Sequence, residues 1–222
     1  MSVILNIDTA LATAVVSLSA EGRVLAEASN TAQQDHASWL HPAIETMLQR
    51  ANIGFKEIQA VAVSIGPGSY TGLRIGLSAA KGFCFALQIP MISIGSLECL
   101  AEQVKEKATH LICPMIDARR MEVYAAVYDK NMTELKAPHA CIIDEFSFSQ
   151  LLESGQVVFC GNGSKKLQTL IQSSNAVFTP EGASTEAFAR LSQKYLLEKK
   201  FTDLAYSEPL YVKEFYSPAR KD

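Results

Sequence analysis

Two aspartates that end apolar runs are the first candidates for chemistry in this sequence. Asp8 and Asp117 are each predicted to lie at the carboxyl end of a central strand. An acid placed there can hold a magnesium ion or face a phosphate, but Asp also caps turns readily. Both interpretations stay open for Asp8, which has the hydroxyl of Thr9 beside it. For Asp117, a turn cap or an ion pair with Arg119 or Arg120 is favoured.

The most distinctive string is I-G-P-G-S-Y-T-G-L-R-I-G, at residues 65–76. Gly66 and Gly68 allow a sharp turn after a buried strand, and Ser69 can cap the helix that follows. Free N–H groups at a helix start attract anions, so Asp8, Thr9, Gly66, Gly68 and Ser69 form a candidate nucleotide or phosphate site. The string lacks the Lys-Ser/Thr of a Walker A loop and the spacing of a dinucleotide fingerprint. Local physics alone therefore favours a tight strand-to-helix turn.

The histidines and cysteines do not form a ligand pattern. His36 and His41 are five residues apart, about 140° around a helix, whereas a metal-binding helix needs a spacing of four. His110 and His139 have no acidic or cysteine companions at ligand spacing, and no Ser-His-Asp or Cys-His arrangement can be argued. The sequence therefore predicts neither a metal site nor a catalytic residue.

The elements that would position these residues occur twice along the chain. Each half has a strand ending in Ile-Asp, a short turn, an answering strand, and later a strand that runs into G-x-G-S and a helix. The shared order and similar offsets indicate an internal duplication. Strands followed by helices predict a mixed sheet flanked by helices in each half. We expect an N-terminal lobe at residues 1–107 and a C-terminal lobe at 108–222, whose last helix, Ser184 to Lys200, is free to return to the first lobe.

The first two predicted helices, Ser38 to Ala51 and Thr71 to Leu87, carry an excess of apolar and small side chains. The apolar arc of the first covers roughly 180°, against the ~100° that a surface helix typically needs. Glycine inside a helix lowers helix stability by about 1 kcal/mol relative to alanine. The small residues of the second helix therefore indicate that another backbone approaches it closely. That neighbour is either the lobe's own sheet or another chain. The wide apolar arc of the first helix indicates an interface where it is exposed, and wider burial inside the fold is the competing explanation. The residues predicted to contact a partner are Trp39, Leu40, Ala43, Ile44, Met47, Gly72, Gly76, Ala79, Ala80 and Phe83.

The composition and net charge of the chain exclude some classes of protein. Hydrophobic residues make up 48% of the 222-residue chain and charged residues 19%, which is enough for a packed core. The net charge of −3 disfavours a chain that grips nucleic acid along its own surface, because that requires a basic excess. Five cysteines without a CxxC pair predict reduced thiols. With neither a signal peptide nor a membrane span in the pattern, a cytoplasmic location is expected.

Three segments together closely resemble the bacterial TsaB (YeaZ) family. They are the opening N-I-D-T-A with its hairpin, the glycine string, and the later I-D-A-R-R-M-E-V-Y-A-A-V-Y; the C-terminal P-L-Y-V-K is similar too. The resemblance spans nearly the whole chain and implies an α/β fold of the two-lobed actin/Hsp70/sugar-kinase type, with duplicated ribonuclease-H-like lobes. Metal-bearing relatives carry His-x-x-x-His on a helix. The spacing of His36 and His41 departs from that motif, which supports a chain that kept the fold and lost the metal.

The resemblance implies a non-catalytic subunit required for threonylcarbamoylation of the adenosine next to the anticodon in tRNAs reading codons that begin with A. The implied partners are a metal-bearing TsaD-like catalytic subunit and a TsaE-like ATPase, with a homodimer through the same two helices when the chain is alone. tRNA would be reached only through the complex, and no membrane is involved. No cofactor is assigned, and ATP or ADP held weakly or at a subunit interface stays open. The alternatives are a stand-alone ATP-dependent phosphotransferase or metal-dependent, glycoprotease-like hydrolase using the interlobe cleft, and a tRNA-binding module.

Overall fold

The computed structural model describes residues 2–32, 35–179, 182 and 184–213, and it contains two five-stranded sheets. The strands of the first sheet are β1 (Val3–Asp8), β2 (Ala14–Ala20), β3 (Arg23–Asn30), β4 (Ile58–Gly66) and β5 (Met91–Gly95). The strands of the second sheet are β6 (Leu111–Asp117), β7 (Glu122–Asp129), β8 (Glu134–Ile142), β9 (Val157–Cys160) and β10 (Ala176–Thr179).

The two sheets have the same topology. The first has the order β3-β2-β1-β4-β5, and the second, read from its other edge, has the order β8-β7-β6-β9-β10. The first three strands of each lobe are antiparallel neighbours, whereas the fourth and fifth join them in parallel. Each position in one sheet therefore has a counterpart in the other, which confirms the predicted duplication and the predicted fold class.

The helices also occur at equivalent points in both lobes. They are α1 (His36–Ala51), α2 (Tyr70–Leu87), α3 (Ser96–Val104), α4 (Ser149–Ser154), α5 (Ser164–Gln168) and α6 (Thr185–Leu197). In each lobe one helix follows the third strand, one follows the fourth and one follows the fifth. The first-lobe helices α1 and α2 have 16 and 18 residues, whereas their counterparts α4 and α5 have 6 and 5. The second sheet therefore has much less helix over its outer face. Among the described residues, every helix is too short or too polar to cross a bilayer.

The first sheet is buried on both faces because successive side chains of a strand point in opposite directions. On one face Leu5, Val16 and Val63 pack against α1 and α2. On the other face Ile4 and Ala62 pack against α6. Burial on both faces explains why β1 and β4 read as continuous apolar runs.

The last helix of each lobe lies between the two sheets. Leu97 and Leu100 of α3 pack with Ile112 and Val158 of the second sheet. The helix α6 returns to cover the first sheet, and its Arg190 donates to Glu102 of α3 at 3.0 Å. The two lobes are therefore joined through a shared helical layer.

The segment after α6 runs back along the first lobe. Thr202 forms a bridge with Met91, and the N–H of Leu210 donates to the carbonyl of Ile65 at 2.7 Å. Lys213 then pairs with Glu122 of the second lobe. This segment places the P-L-Y-V-K sequence beside the glycine string.

Candidate functional site

The glycine string forms the turn between β4 and α2, as its pattern predicts. Gly66 has φ +109°, in the region that favours glycine. The side chain of Ser69 caps α2 by accepting the N–H of Gly72 at 3.2 Å. The backbone N–H of Ser69 donates to the carbonyl of Ala10 at 2.7 Å. A Cβ on Gly68 would lie 2.3 Å from that same oxygen. The turn is therefore held against the loop that follows β1.

Thr9 fixes the start of α2 to this loop. Its buried hydroxyl donates to the carbonyl of Gly72 at 2.7 Å. A Cβ on Gly72 would lie 2.0 Å from the carbonyl oxygen of Thr9, and one on Gly76 would lie 2.3 Å from its hydroxyl oxygen. The close neighbour that the small residues indicate is therefore the lobe's own loop. The prediction that Gly72 and Gly76 contact a partner is corrected on this ground.

The candidate phosphate residues come together in one corner of the first lobe, but they contact neighbouring parts of the same chain. Thr9 is bonded to α2, and Gly68 and Ser69 are pressed against the carbonyl of Ala10. Gly66 lies beneath the C-terminal segment, since a Cβ there would lie 3.1 Å from the carbonyl of Leu210. The corner is a packed turn, and a nucleotide site there stays a prediction.

Asp8 lies at the end of β1 and faces a very small cavity beneath α6. Its Oδ1 accepts the N–H of Ala10 at 3.0 Å. The cavity has a volume of about 20 Å³ and is also lined by Asn6, Ser184 and Phe188. That volume holds about one water molecule, whereas ligand pockets typically have about 300–1,000 Å³. Burial raises the pKa of the Asp8 carboxyl, and hydrogen bonds from Ala10 and Ser64 only partly offset this.

Replacing Asp8 with asparagine is expected to stabilise the fold at neutral pH and to have little effect in acid. Because the folded-state pKa exceeds the unfolded one, the carboxyl's contribution to stability falls as pH rises through that interval. Asparagine keeps an acceptor for the N–H of Ala10 without the charge. Chemical unfolding at several pH values should show a gain that grows from about pH 4 upwards. A loss of stability at neutral pH would contradict this account.

Asp117 is the second-lobe counterpart of Asp8, and its partner differs from the one expected. The predicted ion pair with the side chain of Arg119 or Arg120 is wrong: Asp117 pairs with Lys166 of α5 at 2.7 Å. Arg119 contributes its backbone N–H at 2.6 Å, which is the predicted turn cap. Burial opposes ionisation, but Lys166 and this N–H hold the pKa of Asp117 below its ordinary value.

The histidines of α1 are in different surroundings. His36 is 3% exposed, and neither of its ring nitrogens has a hydrogen-bond partner. His41 is exposed, and its ring centroid lies 5.6 Å from that of Phe83. Across the described residues, no group of three His, Cys, Asp or Glu side chains is arranged to hold a metal ion.

Most of the predicted partner residues are buried in the first lobe itself. Leu40, Ile44 and Ala80 are fully buried, and Ala43, Met47 and Ala79 are at most 8% exposed. All six belong to the core between the sheet and its two helices. Their assignment to a partner surface is therefore corrected, because the wide apolar arc of α1 covers its own sheet and α2. Trp39 and Phe83 are only partly buried.

The outer surface of α1, α2 and the turn between them carries aromatic side chains, of which the sequence analysis included Trp39 and Phe83 but missed Phe55 and Phe85. The ring of Phe83 stacks on that of Phe55 with centroids 5.9 Å apart, and Phe55 is 40% exposed. Phe85 is 75% exposed on α2. Trp39 borders a groove of about 350 Å³ between α1 and β3. We call Trp39, His41, Phe55, Phe83 and Phe85 the aromatic helix surface. Its signal in the sequence was the Phe-Cys-Phe of α2, in which Phe83 packs against His41 and Phe55 and Phe85 is exposed.

The duplicated lobes, with α3 and α6 packed between their sheets, place the chain in the two-lobed class built from ribonuclease-H-like units. Comparison with known sequences goes further. The profile of the family described as TsaD, tRNA N6-adenosine threonylcarbamoyltransferase, matches residues 24–213. The chain belongs to this family, and the relatives that it matches place it with the TsaB (YeaZ) proteins.

These relatives include proteins of known name and a solved structure. The chain is 28% identical to the tRNA threonylcarbamoyladenosine biosynthesis protein TsaB of Escherichia coli, over 95% of this chain and 94% of that protein. It is 37% identical to TsaB of Bacillus subtilis over 56% of this chain, a match that spans only 54% of that protein. YeaZ from Pseudomonas aeruginosa superposes with a TM-score of 0.81 at 25% identity, covering 95% of this chain and all of that one. The resemblance read from the sequence is confirmed.

Proposed function

We propose that this chain is a non-catalytic subunit in tRNA threonylcarbamoyladenosine biosynthesis that binds a TsaD-type catalytic subunit and holds it in an active shape. The observation that carries the proposal is a contrast between two regions of the first lobe. The corner where a ligand would sit is filled by the chain's own loop and by α6. The helices on the opposite face of the sheet present aromatic side chains to solvent.

The packing of this corner favours a non-catalytic role for the chain over a catalytic one. A phosphotransferase needs donors aimed at the phosphate and space for the substrate. Here Ser69 N–H and the Thr9 hydroxyl donate to carbonyls of the same lobe. The cavity at Asp8 has about 20 Å³. Opening the corner for a nucleotide would require moving α6 or the segment that holds Leu210.

The aromatic helix surface supports a protein partner. Interface cores are enriched in aromatic residues, which bury a large area at a small cost in side-chain entropy. Because the family's sequence profile covers residues 24–213, a TsaD-type subunit would share this lobe and offer an equivalent pair of helices. Two such pairs packed face to face would form a four-helix contact. A second copy of this chain would use the same surface, so homodimer and heterodimer would compete.

The remaining assignments follow from this arrangement. A TsaE-type ATPase would join the pair, and tRNA would contact the chain only through the complex. ATP or ADP, if held at all, would lie at a subunit interface, because the first-lobe corner is filled. A cytoplasmic location fits a subunit that acts on tRNA.

The proposal is tested by reconstitution with a purified TsaD-type subunit. Co-elution in size-exclusion chromatography is expected, together with tRNA modification that needs this chain, the TsaE-type ATPase and the threonylcarbamoyl donor. The isolated chain is expected to show neither ATP hydrolysis nor modification. Full modification without this chain would overturn the subunit role. Turnover of ATP or of a peptide by the chain alone, lost in Asp8→Ala, would overturn its non-catalytic character.

A further inference from the structure

A groove opens on the outer face of the second lobe because the helix there is short. In the first lobe the 16 residues of α1 cover β2 and β3. The equivalent helix α4 has 6 residues, and the edge strand β8 is exposed or half-buried along its length. The space between β8 and the segment from Phe146 to Leu151 has a volume of about 530 Å³. That is within the range of about 300–1,000 Å³ that small-molecule sites occupy.

The groove combines an apolar floor with basic and hydroxyl groups at its edge. Val127 belongs to the second-lobe core, and Phe148 packs against that core. Phe146, which also lines the groove, is 73% exposed. The polar side chains that line it include Lys136 and His139. Within the part of the chain that the structure describes, the lining has no carboxylate. An apolar wall with a few convergent polar groups is the usual composition of a ligand site.

An irregularity in β8 brings the basic groups to one side of the sheet. His139 lies opposite Ala125, and Lys136 lies opposite Val127, so three residues of β8 match two of β7. Strict alternation would place residues 136 and 139 on opposite faces. The extra residue instead places both on the face that Val127 shares with the second-lobe core. Bulges of this kind re-aim side chains next to functional sites.

The other polar groups at the groove are already oriented. Nδ1 of His139 donates to the carbonyl of Ala137 at 2.9 Å, which leaves Nε2 outside that bond. The hydroxyl of Ser147 donates to Oδ1 of Asp144 at 2.8 Å and accepts the N–H of Asp144 at 2.9 Å. The carboxylate of Asp144 also accepts the N–H of Phe146 at 3.0 Å. This nearby acid is bonded within its own turn and does not line the groove, whereas Lys136 does.

We propose that this groove binds a small amphipathic anion: an apolar ring or acyl body that carries one phosphate or carboxylate. The apolar body would lie over Val127 and Phe148, and the anion would bind Lys136. The site is in the second lobe and on the outer face of its sheet, so it goes beyond the proposed partner function and does not depend on it. A phosphate and a carboxylate present the same acceptors to a lysine, and the probes below separate them.

The test is calorimetric titration of the full chain with phenyl phosphate and, separately, with octanoate. Saturable binding of at least one probe at one site per chain is expected. Phenol and inorganic phosphate, which carry only the ring or only the charge, should bind at least tenfold more weakly. Lys136→Glu should weaken binding about tenfold or more, which corresponds to ~1.4 kcal/mol. Tighter binding of phenyl phosphate would favour an aromatic phosphate as the ligand, and tighter binding of octanoate would favour an acyl carboxylate.

Lys165→Glu is the matched control, because it makes the same charge change at an exposed lysine of the same lobe outside the groove. It should change the affinity less than twofold. A second variant, Cys141→Trp, should block the probe by filling the groove, and its melting temperature shows whether the lobe still folds. The proposal is overturned if neither probe binds at millimolar concentration. It is also overturned if Lys136→Glu binds the probes as the wild type does.

Discussion

Replacing Gly72 with alanine is expected to destabilise the first lobe by about 3 kcal/mol or more, at the upper end of what overpacking costs. The added Cβ would lie 2.0 Å from the carbonyl oxygen of Thr9, which is a backbone atom at the end of β1. This carbonyl oxygen cannot move aside as the end of a flexible side chain could. The start of α2 or the loop after β1 would have to move, and the buried bond from Thr9 to the Gly72 carbonyl would be lost. Urea unfolding of the purified chain measures the change.

The same helix supplies the matched control. A Cβ on Gly82 would have no neighbour within 4 Å, and alanine favours a helix over glycine by about 1 kcal/mol. Gly82→Ala is therefore expected to raise the free energy of unfolding by up to about that amount. The same glycine-to-alanine exchange in α2 should therefore lower the free energy of unfolding at Gly72 and raise it at Gly82. Equal effects would show that the contact with Thr9 does not decide the need for glycine at Gly72.

The sequence predicted the duplicated topology because its signals are local. Each Ile-Asp ends a central strand, and each G-x-G-S turns a strand into a helix, so the two sets of signals fix equivalent strands in the two lobes. The predicted helix ends were also close to the observed ones. The helix α2 was expected from Thr71, and it begins at Tyr70, after the Ser69 cap. The first helix was expected to end at Ala51 and does so, with Asn52 after it in the left-handed conformation that commonly ends a helix.

The strand β8 was not predicted, and its surroundings explain why. The residues of this edge strand, Glu134–Ile142, are exposed or half-buried throughout, so they show no alternation of apolar and polar side chains. Pro138 lies within it, and proline argues against a strand in the interior of a sheet but is tolerated at an edge. The extra residue opposite β7 removes what periodicity remained. A strand that lacks a buried face leaves little signal in a sequence.

The candidate site was predicted only as far as local geometry reaches. A small residue in α2 indicates a close neighbour, but the same glycine serves the chain's own loop or a partner equally well. Only the position of Thr9 decides between them. The pair between Asp117 and Lys166 joins residues that are 49 positions apart, so no spacing rule could find it. Likewise, the apolar arc of α1 indicates that this face of the helix is buried, but it does not indicate whether the chain's own core or a partner buries it.

Replacing Phe85 with aspartate is expected to weaken association with a TsaD-type subunit about 100-fold or more while leaving the lobe folded. Truncation of an interface hot spot costs at least about 2 kcal/mol, and a charge placed in the contact adds the cost of desolvation. The lobe should tolerate the change, because Phe85 is 75% exposed in the isolated chain. Fluorescence titration with the labelled partner measures the affinity, and thermal unfolding confirms the fold.

Leu197→Asp separates a specific effect from a general one. Leu197 is 74% exposed at the end of α6, so the substitution makes a similar change at a similar exposure away from the aromatic helix surface. It should leave the affinity within about twofold of wild type. Phe85→Leu should lose less than Phe85→Asp, because leucine keeps most of the apolar area. If both aspartate variants bind like the wild type, the contact lies elsewhere, since an exposed phenylalanine buried on assembly cannot become a charge without loss of affinity.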